Sequence, residues 1–400
     1  MKKDLLKKSL AVFMATLMLL TFAACDDEDD DPKKKTEEPS GDYDGQLKGD
    51  ITSDYTIKAD STYEMVGTVR VKSGATLTIE EGVTLKANTS GALTYLIIEQ
   101  GGKINAVGTA DKPITFTSDK EEGERSPSDW GGIAINGYAT HCEGALTAEG
   151  EGDSGTYGGN KDDDNSGTLK YVRIFFAGYA FDPETELNGL ALQGVGSGTT
   201  IDYIQIHKGK DDGVEMFGGK VNINHIVSTS NGDDQIDATS GWRGAVKNAV
   251  AIGFSGDNCA LEHDNNKGTP TATPRTTITY ENLIAVSVGS GDDVAAHIRR
   301  GTIADFVNCY FAGDDLANDI FFADGNDTEV SFDSNTYFQN GGVATTDSPT
   351  INNSSSAATE LDLAEFATLK AFNAAGGLDA IPASAMNVAW AKGWTEFPEN

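Results

Sequence analysis

Short runs of alternating apolar and polar residues follow one another along the chain from about residue 51. Residues 75–79, 103–107 and 114–117 each place apolar side chains at every second position, between turns rich in Gly, Asn and Asp. Such alternation is typical of a strand that buries one face. Many short strands at close spacing predict an all-β protein, built as a sandwich, a barrel or a β-solenoid.

A repeat in the second half of the chain decides between these architectures. An apolar strand residue is followed seven or eight positions later by an acidic residue, at Ile204 and Asp211, Ile226 and Asp233, Val250 and Asp257, Ile284 and Asp292, and Val307 and Asp314. The strand residues are 22, 24, 34 and 23 positions apart. Repetition at this period with a nearly fixed internal spacing predicts a solenoid. Its coils would stack as parallel strands about 4.8 Å apart.

Stacked coils bury their inward residues in continuous ladders, so the repeat also predicts a register. We expect one inward ladder to contain Val172, Ile204, Ile226, Val250 and Val307. We expect its neighbour, two positions further on, to contain Ile206, Ile252 and Cys309. On this interpretation Cys309 is an inert core residue.

The C-terminal residues have a different pattern. Leu363, Phe366, Ala367 and Phe372 recur at helical spacing, and two glycines at 376–377 end the run. A solenoid exposes strand edges and core at its last coil, so it needs a cover there. We therefore expect a β-helix over residues 49–345 and a cap with one amphipathic helix over residues 346–400.

The N-terminus has the pattern of an exported protein. Residues 1–24 combine four lysines with a short apolar stretch, which is typical of a cleaved secretory signal. Residues 22–25, with the sequence FAAC, resemble the lipobox of bacterial lipoproteins, with Phe22 in place of the usual Leu. This resemblance implies a lipid on Cys25 that anchors the protein to a membrane.

The residues after Cys25 extend this prediction to a location. The acidic run at residues 26–31 resembles the export signal of lipoproteins that reach the cell surface. We expect residues 25–48 to form an acidic, flexible tether. The predicted location is the Gram-negative outer membrane, with the protein exposed at the cell surface.

Acidic residues outnumber basic residues, and this imbalance limits the partners. The 400 residues include 62 Asp and Glu against 30 Lys and Arg, which gives a formal net charge of −32. Nucleic acid would be repelled, so none is expected as a partner. Beyond Cys25 the chain has three cysteines, and an odd number leaves at least one free thiol.

Several segments resemble the coils of secreted right-handed parallel β-helix proteins. They include GTADKPITFTS at 108–118 and WGGI at 130–133, together with residues 74–82, 165–174, 209–219 and 393–397. The resemblance extends over roughly residues 64–398. It implies a right-handed, single-stranded parallel β-helix with a surface or secreted location. The family is mostly of unknown function, so the resemblance implies no reaction.

The repeated acidic residues are expected to line one corner of this helix. Two like charges about 4.8 Å apart repel by roughly 0.9 kcal/mol even in bulk water, so the stacking needs an offset. Hydrogen bonds from backbone N–H groups in the turns are one offset. A hard cation is the other, and Ca²⁺ takes about six to eight oxygen ligands. The candidate Ca²⁺ ligands are Asp211, Asp212, Glu215, Asp233, Asp234 and Asp237.

Catalysis on a polysaccharide is the alternative to binding. Residues 232–237, GDDQID, have the paired carboxylates of a polygalacturonase-type hydrolase, but the Gly-His-Gly and Arg-Ile-Lys segments of that pattern are missing from the sequence. In an enzyme, acid and base chemistry would fall to the aspartates, and His297 with Arg299 would bind an acidic sugar. The candidate catalytic residues are Asp233, Asp234, Asp237, His297 and Arg299. Three further histidines, His207, His225 and His263, are expected near the same corner.

The sequence therefore predicts a lipid-anchored cell-surface β-helix that binds an extracellular glycan, ligand or partner protein without catalysis. A polysaccharide lyase or glycoside hydrolase acting at the Asp-rich corner is the first alternative. A purely structural component of the envelope is the second.

Overall fold

The chain coils into a right-handed parallel β-helix, which confirms both the solenoid that the repeat predicts and the hand that the resemblance implies. A computed structural model describes residues 45–182, 185–254, 259–288, 294–313, 320–339, 343–346, 350–352 and 360–399. Of the 29 strands in these residues, 25 belong to one continuous parallel system. The predicted signal, Cys25 and most of the tether lie outside the described residues.

Each coil contributes to three parallel faces, which we call face 1, face 2 and face 3. Face 1 contains β1 (Gln46–Ile51), β3 (Thr62–Val71), β6 (Tyr95–Ile98), β9 (Ile133–Asn136), β15 (Leu190–Gln193), β17 (Val214–Phe217), β19 (Ile236–Thr239), β21 (Leu261–His263), β23 (Ala296–Ile298), β25 (Phe321–Asp324) and β28 (Val343–Thr346). The first halves of β1 and β3 turn onto face 3.

Six long strands bend from face 2 onto face 3 and so belong to both: β12 (Gly167–Phe175), β16 (Thr200–His207), β18 (Ile223–Thr229), β20 (Arg243–Gly253), β22 (Thr277–Ser287) and β24 (Ile303–Gly313). Face 2 also contains β2 (Tyr55–Ile57), β4 (Thr76–Ile79), β7 (Lys103–Val107), β26 (Glu329–Phe332) and β29 (Thr350–Asn352). Face 3 also contains β5 (Thr84–Ala87), β8 (Ile114–Ser118) and β27 (Tyr337–Gln339).

Two antiparallel hairpins project from the coils. The first pairs β10 (Ala148–Glu149) with β11 (Thr156–Tyr157), and the second pairs β13 (Tyr179–Asp182) with β14 (Thr185–Leu187). Both come from insertions into the repeat, and both supply residues to the site described below.

Each long strand bends at one residue in the left-handed conformation. These residues, with φ between 50° and 63°, are Tyr171, Tyr203, His225, Asn248, Asn282 and Asn308. Non-glycine residues rarely adopt this conformation, and Asn tolerates it best. Side-chain stacking accompanies the bends: the rings of Tyr171 and Tyr203 lie 4.3 Å apart, and Asn308 Nδ2 donates to Asn282 Oδ1 at 2.7 Å. The bend therefore resets the in–out alternation once in each of these six coils.

This reset makes the predicted inward ladder wrong at two of its members. The ladder runs through Val172, Ile204, Ile226, Ala249, Leu283 and Cys309. Val250 lies one position after Ala249 and faces outward. Ile252, expected in the neighbouring ladder, also faces outward. Val307 precedes the bend, opposite Glu281, with 39% of its surface exposed. Cys309 joins this ladder rather than its neighbour, and it is buried, as expected.

The C-terminal segment, residues 360–399, lies along the outer side of face 3, and we call it the strap. It contains α1 (Leu369–Ala374) and 3-10 helices at Leu363–Phe366, Gly377–Ala380 and Ala389–Ala391. Phe366 and Phe372 are buried against outward-facing residues such as Val250 and Ile284. No helix in the described residues is long and apolar enough to cross a membrane.

The strap runs back across many coils. At one end the Leu361 N–H donates to Gln339 Oε1 on β27 at 2.7 Å. At the other end Arg173 Nε on β12 donates to the Trp394 carbonyl at 2.6 Å. The expected position over the last coil is thus wrong for these residues, because the apolar outer side of face 3 is the surface that they cover.

Candidate cation-binding cavity on face 1

Acidic side chains follow one another on the outer side of face 1. Glu215 on β17, Asp237 on β19 and Glu262 on β21 occupy the same register position, and His297 on β23 comes next. In the first two strands the acidic residue stands between two buried apolar residues, so alternation points its side chain outward. The acidic groups therefore line up about 4.8 Å apart from coil to coil.

The turns that enter β17 and β19 bring in four more acidic residues. Asp211 and Asp212 precede β17 with only Gly213 between, and Asp233 and Asp234 precede β19 with only Gln235 between. The structure therefore brings together all six residues that the sequence indicates as Ca²⁺ ligands. The remaining acidic residues of the predicted corner, Asp257, Asp292, Asp293, Asp314 and Asp315, lie outside the described residues.

Nine carboxylates line one small cavity at this corner, which we call the acidic cavity. Its volume is about 190 Å³, and its lining residues are Glu151, Glu186, Asp211, Asp212, Glu215, Asp233, Asp234, Asp237 and Glu262. Two groups of three residues, each with oxygens within 4.8 Å of one another, can hold a cation. The groups are Asp211, Asp212 and Asp233, and Asp212, Glu215 and Asp237. Asp212 belongs to both.

Hydrogen bonds offset part of the repulsion between these carboxylates. The Asp234 N–H donates to Asp212 Oδ1 at 2.9 Å, and the Cys259 N–H donates to Asp234 Oδ1 at 2.9 Å. Asn188 Nδ2 donates to Glu215 Oε2 at 2.7 Å and to Glu151 Oε2 at 3.0 Å. The expected capping by backbone N–H groups is therefore present, and the donors come from the neighbouring coil.

Hydrogen bonds do not fully offset the burial and mutual repulsion of the carboxylates in the acidic cavity. Burial, followed by the nearby carboxylates, raises the pKa of Glu151 to about 8 and that of Asp211 to about 7. The same two causes raise the pKa of four further carboxyls well above the usual range: Asp212, Glu215, Asp234 and Asp237. A cation-free cavity therefore holds protons near neutral pH, and these are groups from which a divalent cation would displace protons.

The basic members of the predicted catalytic set lie beside the acidic cavity and are already paired. Arg299 Nε donates to Asp264 Oδ1 at 2.8 Å, and Arg299 Nη2 donates to Glu262 Oε2. His297 lies between Glu262 and Asp324, with Nε2 3.1 Å from Asp324 Oδ2. Burial lowers the pKa of His297, but the two carboxylates outweigh it and raise that pKa overall. Asp237 and His297 stand two coils apart, about 9.6 Å, with Glu262 on the strand between them. The two are therefore not a contacting acid–base pair.

The three further histidines do not gather at this corner. His207 lies on the outer side of face 3, where Nε2 is 3.1 Å from the Pro398 carbonyl of the strap. His225 occupies the bend between faces 2 and 3. His263 points into the core beneath face 1, with Nε2 2.9 Å from the Tyr280 hydroxyl. The expectation that the three lie near the acidic corner is wrong for His207 and His225, which the bend and strand alternation send to other surfaces. His263 does lie near the corner, with Nδ1 3.8 Å from Asp237 Oδ1, but on the inner side of face 1.

Three of the nine cavity carboxylates were missed by the sequence interpretation. Glu262 repeats the placement of Glu215 and Asp237 and follows a buried leucine, so strand alternation could have indicated it. Glu151 and Glu186 come from the two projecting hairpins. Those insertions break the repeat, so no periodic signal connects them with the corner.

The stacked parallel coils make this chain a parallel β-helix protein, with acidic residues gathered on face 1. The chain belongs to the pectate-lyase-like β-helix family: the profile described as a pectate-lyase like beta helix domain matches residues 49–395. No curated protein matches the chain at a significant level.

The chain also has a weak similarity to two solved structures of low sequence identity. The Agl-KA catalytic domain aligns with 77% of this chain and 62% of its own, with 9% identity and a TM-score of 0.33. This chain thus spans less than two thirds of that domain. An alginate lyase from Paenibacillus sp. str. FPU-7 aligns with 75% of this chain and 100% of its own, with 14% identity and a TM-score of 0.24.

Proposed function

We propose that this protein is a lipid-anchored β-helix of the Gram-negative cell surface that binds Ca²⁺ in the acidic cavity. Face 1 then holds an extracellular glycan or protein ligand without catalysis. The observation that carries the proposal is the convergence of nine carboxylates on a cavity of about 190 Å³.

The chemistry of the cavity suits a hard divalent cation. Ca²⁺ takes about six to eight oxygens at about 2.3–2.6 Å from flexible carboxylates, and every described residue of the lining has a carboxylate. Among the described residues, no thiolate or imidazole ligand, which softer metals prefer, belongs to that lining. A bound cation would also remove the cost of crowding buried acidic groups together.

Calcium titration of the chelator-treated protein tests the proposal. We expect binding with release of protons, because several ligands are protonated in the free cavity, and the release appears as a buffer-dependent heat. Asp212→Asn should weaken binding at least tenfold, since Asp212 belongs to both ligand groups. Asp202→Asn is the matched control, because Asp202 lies in the preceding strand and pairs with His225. No Ca²⁺ heat and no thermal shift in the wild-type protein would refute the cation site.

The anchor has its own test. Cys25→Ser should move the protein from the membrane fraction to the soluble fraction, because the lipid has no attachment site. Proteinase K added to intact cells should degrade the wild-type protein if it is exposed at the surface. A Cys25→Ser protein that stays in the membrane fraction would contradict lipid anchoring.

A polysaccharide lyase or glycoside hydrolase is the second candidate function. It is favoured by the pKa values of Glu151 and Asp211 near neutrality, which suit general acid–base chemistry. A screen of polysaccharides for reducing ends and unsaturated products separates the two. Turnover that Asp234→Asn abolishes would establish the enzyme and refute the binding function. A protein with neither ligand nor turnover, whose deletion disturbs the envelope, would be the structural component.

A further inference from the structure

A second hollow opens on the outer side of face 1 and has a different chemistry from the acidic cavity. Its volume is about 470 Å³, within the range of small-ligand pockets. Phe217 and Tyr157 contribute aromatic surface, and Glu149, Asn266 and Lys267 contribute polar groups. We call it the mixed hollow.

Three coils connect the mixed hollow with the acidic cavity. In each of the three coils, a face 1 strand places one acidic residue in the cavity, and the residue two positions further along the chain lines the hollow. The pairs are Glu215 and Phe217, Asp237 and Thr239, and Glu262 and Asp264. Residues two apart in a strand share a face and lie about 6.7 Å from each other. The two sites therefore form one groove across face 1, with the cation position at one end.

The lining of the mixed hollow combines hydrogen-bond donors and acceptors. The lining contains the carboxylates of Glu143, Glu149 and Asp264 and the cations Lys267 and Arg300, and Arg300 pairs with Asp264, so the formal charge is close to neutral. A carboxylate ligand would use only the hydrogen-bond donors of this lining, and an ammonium ligand would use only its acceptors. Hydroxyl groups use both, and the face of a pyranose ring packs well on an aromatic side chain such as Phe217.

The charge of the groove excludes one class of glycan. Nine carboxylates stand beside the hollow, and one or two divalent ions would leave this end of the groove acidic. A polyanion would therefore be repelled. A neutral sugar avoids this cost and carries vicinal hydroxyls, which are oxygen ligands that Ca²⁺ accepts.

We propose that the mixed hollow binds a neutral sugar unit of a glycan, with its ring on Phe217 and its vicinal hydroxyls completing the coordination of Ca²⁺ in the acidic cavity. This inference rests on the proposed cation site and names the ligand class for it. Binding of the sugar then depends on Ca²⁺, whereas binding of Ca²⁺ does not depend on the sugar.

Calorimetry with defined tetrasaccharides tests this proposal on the full chain. The probes are neutral mannan, galactan and xylan fragments, an anionic galacturonan fragment and a cationic chitosan fragment, each with Ca²⁺ and with chelator. We expect at least one neutral fragment to bind with Ca²⁺ and to lose binding at least tenfold with chelator. Phe217→Leu, which keeps apolar bulk but removes the ring, should weaken that binding at least tenfold. Leu146→Ala, at an exposed position outside the hollow, is the matched control.

Three results would overturn the proposal. They are binding of no neutral fragment to the Ca²⁺-loaded protein, sugar binding that persists in chelator, and wild-type affinity in Phe217→Leu. Selective binding of the galacturonan or chitosan fragment would overturn the assignment of a neutral sugar. The Ca²⁺ titration of the wild-type protein is run first, so failure of the cation site is distinguished from failure of the sugar site.

Discussion

At the scale of single residues, buried acidic groups link the stability of the fold to the proposed cation site. Asp212, Glu215, Asp234 and Asp237 are each at least 91% buried on the same few coils. A buried charge without a counter-ion is costly, so the groups hold protons when no cation is present. If the proposed cation site is correct, protons and cations compete for the same oxygens.

The pH dependence of stability follows from this competition. Asp211 and Glu151 have pKa values of about 7 and about 8 in the folded protein, against about 4 for unfolded carboxyls. Because the folded values are raised, the stability that these groups contribute is complete below about pH 4 and is lost as the pH rises to about 8. We expect the chelator-treated protein to melt at a higher temperature at about pH 6 than at about pH 8.

Thermal unfolding followed by circular dichroism checks this expectation. Asp211→Asn should reduce the difference between the two pH values, because an amide does not titrate. Added Ca²⁺ should raise the melting temperature more at the higher pH, where fewer protons compete. A chelator-treated protein that melts higher at about pH 8 would contradict the raised pKa values.

At the scale of elements, the strap converts an exposed apolar sheet into a second core. The second halves of β20, β22 and β24 are buried on both sides, with the helix interior beneath and the strap above. A strand buried on both sides has no in–out alternation to reveal its register. The strap is thus part of the stability of the coils that it covers.

Phe372 in α1 gives this element a quantitative test. Its side chain is fully buried and contacts Phe254, Phe366 and Phe397. Phe372→Ala should lower the free energy of unfolding by about 3–5 kcal/mol, because it removes buried area and leaves a cavity. Urea denaturation measures the change. Phe181→Ala is the control, because this side chain is 52% exposed. Equal urea midpoints for the two variants would contradict the role of the strap.

The same elements explain how far the sequence could predict the structure. The spacing of Ile204, Ile226 and their acidic partners was sufficient to predict the stacked coils and the acidic corner, because each repeat satisfies the same local pattern. Val250 was misplaced because the left-handed bend at Asn248 resets the alternation. The strap position and Glu151 depend on contacts between distant parts of the chain, for which a linear period contains no signal.

At the scale of the whole molecule, the net charge of −32 opposes the compact state. Salt screens this repulsion, with a Debye length that falls from about 30 Å at 0.01 M to about 8 Å at 0.15 M. We expect the chelator-treated protein to melt at a higher temperature as NaCl rises over this range. Differential scanning fluorimetry measures the shift. A melting temperature that falls with NaCl would show that ion pairs, rather than net charge, control the salt response.

The strap also determines the order in which the chain completes its fold. Neighbouring coils join residues some 20–35 positions apart, so most of a solenoid can grow coil by coil. The contact of Arg173 with Trp394, in contrast, joins residues 221 positions apart. Such a late, long-range contact raises the contact order and slows the final step of folding. Until residues 360–399 dock, the middle coils present a bare apolar sheet, which makes the incomplete chain a substrate for chaperones and proteases.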